Sequence, residues 1–333
     1  MELNAIFRNG AVFAADKPIR VFGTGSGHAA VRFLGTEKSV ESKGGDWCIE
    51  LDAQPYGGPY EMEILLDGVS QLLSDVYVGE VLLLHGQSNI QFRLRDSTYP
   101  ADLYESCPQL RLYGLQRVSD TEPYCAVDGW VSCTPETAGS FSAIGYHVGL
   151  QVAQTRGCAV GLIGCYQGAS VIESWLPQGT EASLNIRIAD ADRHRDHFKD
   201  SYRKWNVEGC LYEKAVRQIM PYALSYVIWY QGESNATVAE GSVYDKLLEA
   251  LIEQRRCDFD DLSLPFVIIE LAECLARAGD GWTLVQKAQN LVSERIRGVT
   301  TVPCADVCEN DNIHPPTKIH LSKRVANVIL GKK

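Results

Sequence analysis

Two hydrophobic grammars divide the chain. In the first part, apolar and polar positions alternate. Tyr60, Met62, Ile64 and Leu66 interleave with Glu61, Glu63 and Leu65, and Trp47, Ile49 and Leu51 interleave with Cys48 and Glu50. A period of two over such runs predicts half-buried strands. Asn9-Gly10, Gly44-Gly45, Gly57-Gly58-Pro59 and Asp67-Gly68 supply turn chemistry between them. Strands of this kind cannot bury their apolar faces singly, so residues 1–75 are expected to form a small β-sandwich-like domain. Gly23-Thr24-Gly25-Ser26-Gly27 misses the dinucleotide-binding spacing and is read as a loop.

From Val76 onward the apolar residues come in unbroken runs: Val76–His85, Cys158–Ile163, Tyr222–Tyr230, Leu264–Leu271 and Val299–Ala305, with a weaker one at Leu110–Leu115. Helix-period segments lie between them. Leu284, Val285, Ala288, Leu291 and Val292 share one stripe that Gly298 is expected to end, and Leu321, Val325, Val328 and Ile329 share another. Strands without alternation, separated by amphipathic helices, predict a parallel sheet covered on both faces. Residues 76–333 are therefore expected to form an α/β domain whose site lies beyond the carboxyl ends of its strands.

Composition narrows the function classes. Of the 333 residues, 45% are hydrophobic and 22% charged, ordinary values for a folded chain. The net charge of −11 argues against nucleic-acid and anionic-membrane partners, which are bound by clustered cations. No apolar stretch approaches the ~20 residues of a membrane helix. The opening Met-Glu-Leu-Asn-Ala-Ile-Phe-Arg has neither the basic nor the apolar region of a secretory leader, so a cytoplasmic location is expected. The 11 cysteines form no C-x-x-C pair and are read as buried thiols in a reducing compartment, the Cys304/Cys308 spacing included. Nothing in the spacing of His, Cys, Asp and Glu calls for a metal or another cofactor.

Three polar clusters fall at strand ends: Gly86-Gln87-Ser88-Asn89, Gln231-Gly232-Glu233-Ser234-Asn235 and Asp311-Asn312-Ile313-His314-Pro315. Together they offer a nucleophile, a base and an acid. A serine hydroxyl needs a base to take its proton, and that base needs an acceptor on its far nitrogen. Asp311 and His314 are close enough in sequence for one turn to present both, and Pro315 restricts the backbone of His314. The order Ser…Asp…His matches the α/β-hydrolases, but the segment lacks the second glycine of G-x-S-x-G, and the acid stands too near the base. The nucleophile-elbow arrangement is therefore excluded.

The chain resembles the SGNH (GDSL-like) hydrolases, and within them the sialate O-acetylesterase and acetyl-xylan-esterase branch. Gly79-Glu80-Val81 leading to Gly86-Gln87-Ser88-Asn89 is similar to its first block. Phe141–Tyr146 is similar to its early helix, and Gly161-Leu162-Ile163, Gly168 and Ile172-Glu173-Ser174-Trp175 to its second block. Trp229-Tyr230-Gln231-Gly232-Glu233-Ser234-Asn235 is the most specific match, and Asp311–Pro315 resembles the closing D-x-x-H-P. The resemblance implies a three-layer α/β/α flavodoxin-like domain after an N-terminal β-domain. It implies Ser88 as nucleophile, His314 as base and Asp311 as orienting acid. The oxyanion donors it implies are the Ser88 and Gly168 N–H groups and a side-chain amide, Gln231 in the first place and Asn235 in the second. The sequence departs from the family at Gln167 and Ala169, where Trp and a second Gly are usual.

Around this core, Gln87, His85, Tyr166, Gln167 and Glu233 are expected to contact substrate. His85, Tyr166 and Gln167 are expected to wall a pocket sized for acetyl. Glu233 is read as a buried carboxylate bonded to loop amides rather than a second catalytic acid. His194-Arg195-Asp196-His197 is read as a solvated helix face, and Tyr166, Trp175 and Trp229 as either core or a sugar platform. The function implied is a serine esterase that removes O-acetyl groups from sialic acid or a related sugar through an acyl-enzyme. An acetyl-xylan or hemicellulose esterase, a non-catalytic carbohydrate-binding protein and a lipase or thioesterase are the alternatives. The implied partner is an O-acetylated sugar, and the sequence carries no signal for an oligomeric state.

Overall fold

The computed structural model describes residues 1–115 and 129–332. Its organising element is one strand, Val69–Gly86. The first half of that strand runs antiparallel to Gly57–Leu66, with Leu66 opposite Val69 across the Asp67–Gly68 turn. Its second half lies parallel to Val160–Tyr166 on one side and Tyr226–Tyr230 on the other. The expected boundary between residues 75 and 76 therefore falls inside a continuous strand, with no linker. Asp75 marks the transition with φ of 59°, and Arg111 holds its carboxylate at 2.8 Å.

The N-terminal strands share one continuous hydrogen-bonded ladder. Ile19–Phe33 pairs with Thr36–Leu51 and with Gly57–Leu66, and Val12–Ala14 lies parallel to residues 77–79. Period-two burial is clear: Trp47, Ile49 and Leu51 point inward, as do Met62 and Ile64. The glycine-rich segment is a correction, for Gly23–Gly27 lies inside the strand Ile19–Phe33, at a register shift between Thr24 and Ser26. A Cβ at Gly23 would stand 1.9 Å from the Glu2 carbonyl oxygen, so glycine there admits a neighbouring strand.

The second sheet is parallel apart from its edge. Its order runs Val131–Cys133, Cys107–Gly114, Val160–Tyr166, Val69–Gly86, Tyr226–Tyr230, Phe266–Ile269, Val299–Val302, and only the first of these is antiparallel to its neighbour. Residues 160–166 and 227–230 are buried throughout, which is why they read as unbroken apolar runs. The helix Ala143–Arg156 packs with Ile319–Ile329, and Tyr244–Asp258 with Asp280–Arg295. In the last two helices the predicted stripes face inward through Val285, Ala288 and Val292 and through Leu321, Val325 and Ile329. The helix before Gly298 stops at Arg295, a little short of the expected cap. Among the described residues no helix is long and apolar enough to cross a membrane.

Candidate active site

Strand register brings two of the polar clusters, Gly86–Asn89 and Gln231–Asn235, to one level with the segment after Tyr166. Gly86 is the partner of both Tyr166 and Tyr230, so the chains leaving all three strands emerge side by side. Cross-strand bonds continue past the ends: Gln87 N donates to Tyr230 O at 3.0 Å, and Gln167 N to Gly86 O at 3.1 Å. Glycine is required at Gly86, where φ is 130° and a Cβ would sit 2.2 Å from the Tyr230 carbonyl oxygen. Immediately beyond it, Ser88 opens the short helix Ser88–Gln91.

Ser88 Oγ lies 2.7 Å from His314 Nε2. The two residues are 226 positions apart, and both line a cavity of about 690 Å³. Burial first, and the nearby Lys318 ammonium second, hold the His314 imidazole below its ordinary pKa of 6.5, so it is a neutral acceptor at pH 7. Its loop is fixed through the backbone. His314 N donates to Asn312 Oδ1 at 2.9 Å, and the Ile313 carbonyl accepts from Asn89 Nδ2 at 2.9 Å. The Phe92 ring stacks on the imidazole with centroids 6.3 Å apart.

Asp311 does not take the expected place. Its side chain is exposed, and among the described residues no hydrogen bond or ion pair joins it to His314. The amides proposed for the oxyanion site are also engaged elsewhere. Gln231 Nε2 donates to Ser170 O (3.0 Å) and Asn235 Oδ1 (2.8 Å), while its oxygen accepts from Tyr244 (2.7 Å). Asn235 Nδ2 donates to Glu173 Oε2 at 2.9 Å. Both residues are fully buried, and neither lines the cavity. Gly168 does line it, beside Ser88, and among the described residues neither the Ser88 nor the Gly168 N–H donates to another protein group.

Of the expected substrate contacts, Gln87, Gln167 and Glu233 line the cavity. With its amide nitrogen turned to Glu233 Oε2 (3.0 Å) and Ser170 O (3.3 Å), Gln87 ties the first block to the second and third. His85 and Tyr166 are not cavity residues. Strand alternation sends His85 into the core, between the rings of Trp175 and Trp229. There Nδ1 meets Cys165 O at 2.7 Å, Arg255 Nε donates to Nε2 at 3.4 Å, and burial holds the ring neutral. Tyr166 is buried with them, so the acetyl-sized pocket expected from these two side chains is not built by them. Trp175 and Trp229 are core, their indoles donating to Ser170 Oγ and the Tyr244 hydroxyl.

The remaining wall was illegible as a site in the sequence. The cluster His194–His197 is not a solvated helix face. His194 and His197 are buried, and His197 Nε2 lies 2.6 Å from the Ser234 carbonyl oxygen; the Arg195 side chain lies outside the described residues. Asp196, Tyr202, Lys204 and Trp205 line the cavity together with Arg277. Asn206 clamps the loop after Gly168, donating to Ala169 O (2.8 Å) and accepting from Val171 N (3.0 Å). Ala169 there has φ of 53°, a left-handed conformation that favours glycine. The only sequence cue to this wall is the aromatic pair Tyr202-x-x-Trp205, whose rings lie 5.4 Å apart. The described cysteines are free thiols, and no group of three His, Cys, Asp or Glu positioned to hold a metal occurs among the described residues.

The family model for carbohydrate esterases described as sialic acid-specific acetylesterase matches residues 78–331. The chain belongs to this family. It is 25% identical over 321 residues to the human sialate O-acetylesterase, covering 86% of this chain and 60% of that protein. The mouse sialate O-acetylesterase is 23% identical over 358 residues, with 89% and 65% covered. The chain thus spans less than two thirds of the length of these relatives. Among solved structures it is similar to a carbohydrate acetylesterase from Xanthomonas citri, with a TM-score of 0.85 and 27% identity over 99% of this chain and 76% of the other. The family match begins at Val78, so the N-terminal strands lie outside it, whereas the Xanthomonas structure spans them as well.

Proposed function

We propose that this member of the family is a serine esterase that removes O-acetyl groups from sialic acid or a related acetylated sugar. The 2.7 Å contact between Ser88 Oγ and His314 Nε2 inside an open cavity carries the reading. His314 takes the Ser88 proton as Oγ attacks the acetyl carbonyl carbon. The oxyanion that forms is met by the Ser88 and Gly168 N–H groups, donors of a type typically worth about 3–4 kcal/mol each in the transition state. The C–O bond to the sugar then breaks, and His314 returns the proton to the departing sugar oxygen. Water, deprotonated by the same imidazole, attacks the acetyl-serine; the bond from the acyl carbon to Oγ breaks, Ser88 takes its proton back from His314, and acetate leaves.

The reading rests on Ser88 and His314, because the placement of Asp311 offers the imidazole no hydrogen bond. Asp311 is kept as a candidate for turning toward the ring during the reaction. The two helix pairs are read as the outer layers of a three-layer flavodoxin-like domain. A working nucleophile–base pair disfavours a purely carbohydrate-binding role. Gln87, Gln91, Gln167 and Arg277 line the cavity and offer partners to the hydroxyls of a sugar, which supports a carbohydrate ester over a long acyl chain.

The decisive assay is hydrolysis of 4-nitrophenyl acetate and of O-acetylated N-acetylneuraminic acid by wild type and Ser88→Ala. Loss of at least about a thousandfold in kcat with retained fold is expected, together with fluorophosphonate labelling at Ser88. Wild-type turnover in the variant, or labelling at Ser234, would overturn the assignment.

A further inference from the structure

We propose that Arg277 is the residue that reads a substrate carboxylate, so that the cavity takes an acidic O-acetylated sugar of the sialic acid class in preference to a neutral one. This rests on the esterase reading above.

Arg277 stands in the wall of the same cavity as Ser88 and His314. Its guanidinium is anchored on one side only. Nη2 donates to the Glu233 carbonyl oxygen at 3.2 Å and abuts His194 Nε2. No carboxylate lies within ion-pair distance of it among the described residues. That sets it apart from Arg20, Arg111, Arg156, Arg193 and Arg255, each of which meets an Asp or Glu. The two acids nearest in the wall are committed elsewhere, Asp196 to Lys199 at 2.7 Å and Glu233 to Asn89 at 2.7 Å.

An arginine fork held by one nitrogen, and in direct contact with no carboxylate among the described residues, is preorganised for a planar anion. Two parallel charge-assisted bonds to a carboxylate are shorter and stronger than any a neutral hydroxyl can return. Lys204 adds a second cation to the same wall. Tyr202 and Trp205 add aromatic faces against which the apolar side of a sugar can pack. An acetylated xylan or cellulose unit would leave Arg277 without a partner as the cavity fills, a desolvation cost that disfavours it. Sialic acid carries a carboxylate on its ring and acetylated hydroxyls elsewhere, so one molecule satisfies both Ser88 and Arg277.

The test compares kcat/KM for O-acetylated N-acetylneuraminic acid with that for its methyl ester, identical except for the charge. Wild type should prefer the free acid by tenfold or more, Arg277→Met should bring the ratio near one, and Arg277→Lys should fall between. Because a ratio is read, a general loss of activity in a variant cancels, and the wild-type ratio stands alone if the methionine variant fails to fold. A wild-type ratio near one, an unchanged ratio in Arg277→Met, or equal use of acetylated xylo-oligosaccharides would overturn the proposal. Cleavage of 4-nitrophenyl acetate with no cleavage of either sialate would overturn it while leaving the esterase reading intact. If no ester is cleaved at all, that reading fails and this proposal falls with it.

Discussion

Lys318 Nζ lies 2.6 Å from Asn89 Oδ1, a buried ammonium bonded to the residue next to the nucleophile. Through its other atom the same amide reaches Glu233 Oε1 at 2.7 Å and the Ile313 carbonyl at 2.9 Å. One side chain thus joins the serine helix, the third block and the histidine loop, with a cation at its centre. Glu233 completes the relay as a carboxylate whose pKa burial pushes up. Ser88 and His314, so distant in sequence, are held to a single geometry by this polar core beneath them. Charged hydrogen bonds of this kind are worth about 1.5–3 kcal/mol each.

The first prediction concerns the pH profile. His314 must be neutral to accept the Ser88 proton, so activity rises as pH climbs through its pKa. Burial and then Lys318 place that pKa below 6.5, and kcat/KM should already be level by about pH 7. Lys318→Met removes the like charge and should move the inflection upward, whereas Lys318→Arg should not. A wild-type profile still rising well above pH 7, or an inflection that ignores the methionine, would count against His314 as the base.

Stability should respond to the same lysine in the opposite range. Burial lowers the Lys318 pKa from 10.5 to about 8 in the folded protein. The unfolded chain therefore binds more protons between those values, and stability from this group increases as pH rises through them. It is fully present above the unfolded pKa and lost as pH falls through about 8. At about 1.4 kcal/mol per pH unit, the span is roughly 3 kcal/mol. Urea unfolding of wild type and Lys318→Met at about pH 7 and pH 10 isolates it, because other titrating groups are common to both. Wild type should gain on the variant at the higher pH; a constant difference would contradict the buried ammonium.

Much of this arrangement was legible before the structure. The unbroken run ending at Gly86 and the run ending at Tyr230 were readable as strands because both faces are buried, and their register carries Ser88 and the third block to one level. What could not be read was which loop side chain turns inward. Gln231 looks like a donor in sequence, yet its amide is satisfied by Ser170 and Tyr244, partners that only the folded chain brings near. His85 was misplaced as a wall although alternation from Gly86 sends it into the core. Arg277 and Asn206 carry no local signal at all, since each acts through a segment distant in sequence. The division expected at residue 75 falls within the strand Val69–Gly86, which both sheets share and which carries no compositional seam.

Asn206 offers a third prediction. It grips the loop after Gly168 at two points, the Ala169 carbonyl and the Val171 amide. Its loss should let the Gly168 N–H drift from the oxyanion position while leaving the cavity walls in place. Asn206→Ala should lower kcat about tenfold or more with little change in KM, and should cost about 1–2 kcal/mol of stability. Equal effects on kcat and KM would mean that the loop serves binding instead.

Asp311 and His314 should separate cleanly by mutation. In a triad the acid fixes the imidazole tautomer, and removing it costs about ten-thousandfold in kcat. Here the imidazole is oriented by other means: the Asn312 cap on its own N–H, the Asn89 bond to the preceding carbonyl, and the Phe92 ring. The Asp311 carboxylate is exposed, where solvent screens its field, and it makes no bond to the ring. His314→Ala should therefore lower kcat by roughly a thousandfold or more, while Asp311→Asn should lower it about tenfold at most. Asn312→Ala, which frees the loop, should cost more than Asp311→Asn. The comparison is read from kcat on 4-nitrophenyl acetate, with melting temperatures confirming the fold. If Asp311→Asn is as damaging as His314→Ala, the carboxylate must swing onto the imidazole during turnover, and the pair becomes a triad whose third member is engaged only in the working state.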